Sequence, residues 1–109
     1  MIDNTQKLYE IAGVGSVGFN TYTLEDVYPP FTAEKQLGLI KWLGSTFLGH
    51  FYSYVSLNRF SNNFGHYCVG IGNCKSYHEQ FEQALANLVI ELYNDLTDKQ
   101  KEEIKEILE

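Results

Sequence analysis

The sequence predicts an α+β domain, in which a small antiparallel sheet packs with helices in an α/β/α-like arrangement. Three observations lead there. The 109 residues are 44% apolar and 15% aromatic, enough for one domain with a real core and too apolar for a disordered chain. Residues 50–72 hold two runs rich in Tyr, Phe and Val around Ser61-Asn62-Asn63, which reads as a hairpin. Residues 77–96 repeat Tyr77, Phe81, Leu85, Leu88, Val89, Leu92 and Leu96 at helical spacing. Residues 1–109 are read as a single domain.

The elements follow in order. Residues 4–12 read as a short helix with Leu8, Ile11 and Ala12 on one side. Gly13-Val14-Gly15-Ser16-Val17-Gly18 then interrupts the chain. It matches G-x-G-x-x-G, but the extended Phe19-Asn20-Thr21-Tyr22-Thr23 follows where a dinucleotide site needs a helix, so it reads as a glycine turn. A third strand of the sheet is expected near Gly18–Leu24. Thr32 is placed to cap a helix running to about Leu43, which Gly44 ends.

In the hairpin, Phe51, Val55 and Leu57 form the apolar parity of the first strand, and Tyr67, Val69 and Ile71 that of the second. Burying both on one face demands an odd-to-odd register, which turns His50, His66 and Cys68 to the opposite face with Tyr52 and Tyr54. These tyrosines can form a small second core or a contact surface. Ser76-Tyr77-His78-Glu79 has the form of a capping box that opens the long helix. Thr97-Asp98-Lys99-Gln100 repeats it for a last helix, 98–108.

Charge narrows the partners. The net charge is −6, and the excess lies in residues 76–109, which carry nine acids against Lys99, Lys101 and Lys105. That argues against direct binding of nucleic acid or an anionic membrane, and for a protein partner with a basic surface. No apolar run is long enough to span a bilayer. Met1-Ile2-Asp3-Asn4-Thr5 has no basic, apolar leader, so a cytoplasmic location is expected.

Both cysteines and all three histidines fall between residues 50 and 78. His66-x-Cys68-x5-Cys74-x3-His78 supplies the donor set of a structural zinc site, with His50 as an alternate ligand. One site for both cysteines requires the chain to fold back at Gly70, Gly72 and Asn73, which are residues that permit it. A Cys–His nucleophile is the catalytic alternative, with Cys74 activated near a helix N-terminus. No oxyanion hole or orienting third group accompanies it, so no enzymatic activity is expected.

Tyr28-Pro29-Pro30-Phe31-Thr32 leads into a helix, a strand hairpin follows, and Glu82-Gln83-Ala84-Leu85-Ala86 lies in the closing amphipathic helix. Over roughly residues 5–96 this resembles small phage-encoded proteins with an α/β/α (ABA) sandwich domain. In size and charge the chain is also similar to type II-A anti-CRISPR proteins, which bind Cas9. The resemblance implies a non-enzymatic phage or prophage protein that acts in the bacterial host cytoplasm. It would inhibit a defence protein, with Cas9 as the expected target. An accessory or structural phage protein is the alternative. The contact surface is expected on the outer side of the long helix, where Glu79, Glu82, Gln83, Ala86, Ile90, Glu91 and Asn94 fall, joined by Glu102 and Glu103.

Overall fold

The computed structural model describes residues 3–109. Among them lie four helices and five strands, in the order α1 (Asn4–Ala12), β1 (Gly18–Asn20), β2 (Glu25–Val27), α2 (Ala33–Thr46), β3 (Phe51–Val55), β4 (Tyr67–Ile71), β5 (Cys74–His78), α3 (Phe81–Tyr93) and α4 (Asp98–Leu108). The strands form two antiparallel sheets, β1-β2 and β3-β4-β5. The α+β class is as the sequence predicts.

Helix α1 starts at Asp3, whose carboxylate accepts the Thr5 N–H at 2.7 Å. It stops at Gly13, which takes the left-handed φ of 78° that an L side chain resists. Helix α2 is capped by Thr32 as expected, but it runs past Gly44 to Thr46. A mid-helix glycine costs only about 1 kcal/mol. The buried Trp42 and Leu43 and the Trp42–Phe47 edge contact hold the last turn in place. Helix α4 carries the capping box read at Thr97 and Gln100, each side chain bonding the other's backbone.

The hairpin register is odd-to-odd, Phe51 opposite Ile71 and Val55 opposite Tyr67. Phe51, Val69 and Ile71 join the core. Val55 and Leu57 share that parity but lie exposed, because α3 packs chiefly on β4 and β5.

Two further expectations fail. The third strand of the main sheet is β5, while the strand at Gly18–Asn20 pairs with β2 in a separate ribbon. The helix opening expected at Ser76 and Glu79 is therefore strand, and α3 begins at Phe81 behind Gln80. A two-residue turn, Gly72-Asn73 with φ 57° at Gly72, folds β5 directly onto β4. Ser76 is then buried in the sheet, where its hydroxyl accepts from Asn87 of α3 at 3.1 Å instead of capping a helix.

Helix α3 is the centre of the molecule. One side packs on β4 and β5, and α1 packs on the other. Gln83, Ala84, Leu85, Ala86, Leu88 and Val89 are all buried, so the helix has almost no solvent face. The layers run sheet, α3, α1, with α4 joining α1 to α2. The sheet's other face carries Tyr52, Tyr54 and Tyr77. Tyr52 lies across Gly70, and its hydroxyl donates to the Gly72 carbonyl at 3.0 Å.

A methyl group at Gly70 would stand 2.5 Å from the Tyr52 ring and 2.9 Å from the Cys74 carbonyl oxygen. Gly70→Ala is expected to displace Tyr52 and destabilise the fold by about 1–3 kcal/mol. Urea denaturation of the variant against the parent chain measures it, and an unchanged midpoint would show that the ring moves freely.

Candidate docking surface

The hairpin β4-β5 decides the fate of the cysteines. The chain does fold back at Gly72-Asn73, but Ile71 faces Cys74 while Cys68 faces Tyr77. Residues 68 and 71 point to opposite faces of the sheet, so Cys68 and Cys74 do too. Cys68 is fully buried beside Tyr54, whose hydroxyl lies 3.3 Å from that of Tyr77. Cys74 faces α3, its thiol donating to the Glu91 carboxylate at 3.6 Å.

The histidines disperse as well. His66 sits 3.7 Å from Glu79, just ahead of β4. His78 Nδ1 accepts the Gln80 N–H at 2.9 Å. His50 is exposed at the start of β3, beside Thr46, Leu48 and Ile71. Among the described residues, no group of three or more His, Cys, Asp or Glu side chains gathers around one point. A tetrahedral site built from Cys68, Cys74, His66 and His78 does not fit this geometry.

Cys74 is also not placed as a nucleophile. It lies seven residues before α3 begins, not at its N-terminus. Burial, then the charge and hydrogen bond of Glu91, push its thiol pKa up, so at neutral pH it keeps its proton.

Three of the five acids expected to face a partner have neighbours within the chain. Glu79 meets His66, and Glu91 accepts from Cys74 and from Asn87 at 3.3 Å. Glu103 accepts the Trp42 indole N–H at 2.6 Å. Gln83 and Ala86 are buried, and Ile90 packs against the core, because α1 covers the helix side that was expected to be free. Glu82 is half-buried in the first turn of α3, and Glu102 is exposed on α4 beside Tyr93.

Exposed apolar bulk collects elsewhere. Between Val17 and Val27 the ribbon β1-β2 leaves Val17, Phe19, Tyr22, Leu24 and Val27 at the surface, Tyr22 at 97%. Asn20 shapes its tip, its side-chain oxygen accepting from the Tyr22 N–H at 2.9 Å and the Thr23 N–H at 3.3 Å. Leu24 follows at φ 58°, a left-handed conformation unusual for leucine. Sequence reasoning gave this segment a place in the sheet and so missed it as a surface. Once folded, two three-residue strands are too short to bury their own side chains.

The ribbon stands on α1. Tyr28 stacks on Tyr9 with ring centroids 5.8 Å apart, and the Tyr9 hydroxyl donates to the Pro30 carbonyl at 3.2 Å. Between ribbon and helix runs a cleft of about 370 Å³, with Tyr28 and Phe31 in its wall and Asp3, Glu25 and Asp26 on its rim. Burial, then Glu10 and Asp26, push the Tyr28 hydroxyl pKa up. Protein-family models, curated proteins and solved structures return no match to this chain.

Two outcomes are expected. Iodoacetamide should leave Cys68 unmodified in the folded chain and label Cys74 more slowly than an unstructured cysteine, with Glu91→Gln speeding Cys74 labelling. Peptide mass mapping over time reads both, and rapid labelling of Cys68 would contradict its burial. Zinc or a chelator should leave the thermal midpoint unchanged in differential scanning calorimetry. A rise with stoichiometric zinc would mean that the sheet rearranges to bring the cysteines together.

Proposed function

We propose that this chain is a non-catalytic protein-docking module for a partner with a basic surface. The partner class is a nucleic-acid-binding defence protein of the bacterial host, with Cas9 as the candidate. The observation that carries the reading is the ribbon β1-β2. It holds exposed aromatic and aliphatic side chains together with Glu25 and Asp26, above an acidic, aromatic cleft. An apolar patch inside a charged rim is the general layout of a protein contact site. Phe19 and Tyr22 are the anchors of that patch, since large aromatics dominate binding energy where a partner buries them. The net charge of −6 favours encounter with a basic groove that normally holds nucleic acid. The phage-protein resemblance in the sequence points to the same partner class.

The test is inhibition of Cas9 cleavage by the purified chain at low and high salt. Inhibition is expected, stronger at low salt. Phe19→Ala with Tyr22→Ala should weaken it by about tenfold or more, the cost of losing anchor side chains. Glu25→Gln with Asp26→Asn should slow association and flatten the salt dependence. Circular dichroism should show all variants folded, since the ribbon contributes no core residue. Inhibition that survives the ribbon variants would move the contact to Tyr52 and Tyr54. No inhibition by the parent chain would exclude Cas9 as the partner.

A further inference from the structure

The main sheet has an open edge. In the β3-β4 ladder the Ser56 N–H bonds the His66 carbonyl and the Gly72 N–H bonds the His50 carbonyl. Antiparallel pairs alternate, so even-numbered residues of β3 bond to β4, and Phe51, Ser53 and Val55 turn their N–H and C=O groups outward. Among the described residues, none of these outward groups has a hydrogen-bond partner from outside the strand, whether backbone or side chain. Ser53 and Val55 lie exposed along the edge. Natural edges are blunted by charge, proline, a bulge or a cover. The run Phe51-Tyr52-Ser53-Tyr54-Val55-Ser56-Leu57 has no charge and no proline, and β3 pairs with β4 without a bulge.

We propose that the outer edge of β3 pairs antiparallel with β3 of a second copy of this chain, about a twofold axis at Ser53, to form a six-stranded sheet across a homodimer.

The strand is complementary to itself in that register. Ser53 meets Ser53 at the axis, where small side chains let the backbones approach. Phe51 meets Val55 of the second copy, an aromatic against a β-branched residue, on the core face. On the other face Tyr52 meets Tyr54, twice by symmetry. Within one chain these two rings stack at 6.2 Å and lean back over the sheet, Tyr52 to the Gly72 carbonyl and Tyr54 to Tyr77, which leaves the outer edge clear for a second strand. A one-residue shift in register would oppose inward- and outward-facing groups and lose the ladder.

The flanks agree with the register. It carries Leu57, two residues beyond β3 and 76% exposed, toward the Leu48-Gly49 turn that precedes β3 of the second copy. Gly49 lies between Leu48 and His50, which with Phe47 and Ile71 border an apolar hollow of about 490 Å³. Antiparallel pairing brings Leu57 of one copy to the end of the strands where the hollow of the other lies, so each copy offers the other a side chain and a place for it. Such reciprocal contact is what a twofold interface requires. Its occupant is set by the edge: only another extended strand can bond alternate N–H and C=O groups along it. The ribbon β1-β2 takes no part, so the inference stands apart from the proposed partner.

Sedimentation equilibrium of the purified chain across a wide concentration range tests it. The expected species at high concentration has twice the 12.5 kDa chain mass. Ser53→Lys sets two like charges at the axis and should raise the dimer Kd by at least about tenfold. Ser53→Pro removes an outward N–H that β4 does not use and should do the same. Leu57→Ala should weaken the dimer by about tenfold, since two side chains leave the interface. Circular dichroism should show each variant folded. An equimolar mixture of Ser53→Lys and Ser53→Glu should restore the dimer mass, because opposite charges then meet at the axis. A parent chain that stays at the monomer mass overturns the proposal. So does a dimer indifferent to Ser53→Lys and Ser53→Pro, or a Lys and Glu mixture that fails to associate.

Discussion

Everything in this fold depends on burying α3 from two sides. A chain of this length has one core to build, and six residues of α3 face it from almost every direction. The sheet covers one side through Val69, Ile71 and Ser76, and α1 covers the other through Leu8, Tyr9 and Ala12. The one long polar side chain in that seam, Gln83, accepts the Asn4 N–H at 2.9 Å and donates to Asp3 at 2.7 Å. Asp3 is the N-cap of α1, so the same contacts start that helix and fasten it to α3. Burial raises the Asp3 carboxyl pKa, but the hydrogen bonds from Thr5, Gln83 and the backbone outweigh it and hold the pKa below the ordinary range. This contribution is present above the carboxyl's unfolded pKa and is lost as acid protonates it in the folded chain.

That arrangement determines what remains on the surface. Helices that pack on one another leave one sheet face to Tyr52, Tyr54 and Tyr77, and leave β3 as an edge beyond the reach of α3. Much of the remaining apolar bulk sits on two hairpins. The ribbon carries Phe19, Tyr22 and Leu24, and the β3-β4 connection carries Leu57, Phe60 and Phe64. The radius of gyration, 14.5 Å, exceeds the about 13 Å of a compact chain of this length.

Charge and thiol chemistry are shaped by the same layers. The acids of α3 and α4 that seemed free include several that hold the chain together, Glu103 on Trp42 and Glu91 beside Cys74 among them. A carboxylate against a half-buried thiol keeps it protonated, which suits a packing residue better than a nucleophile. The acids left at the ribbon, Glu25 and Asp26, stand beside exposed aromatics.

The sequence by itself determined local structure. Thr32, Thr97 with Gln100, and Gly13 mark helix ends because caps depend on neighbouring backbone groups alone. The odd-to-odd register of β3 and β4 was legible because alternation fixes which face each residue takes. Tertiary structure decided the rest. Ser76 and Glu79 match a cap by spacing, yet the Gly72-Asn73 turn and the buried bond to Asn87 make that stretch a strand. A two-residue turn pairs odd residues with even ones, which separates Cys68 from Cys74 across the sheet although both numbers are even. Ala86 and Ile90 read as outward on a helix with one apolar stripe, and only the docking of α1 made a second side of that helix interior. Periodicity records how much of a helix is apolar, but which neighbour covers each side is settled by contacts between residues as distant as Asn4 and Gln83.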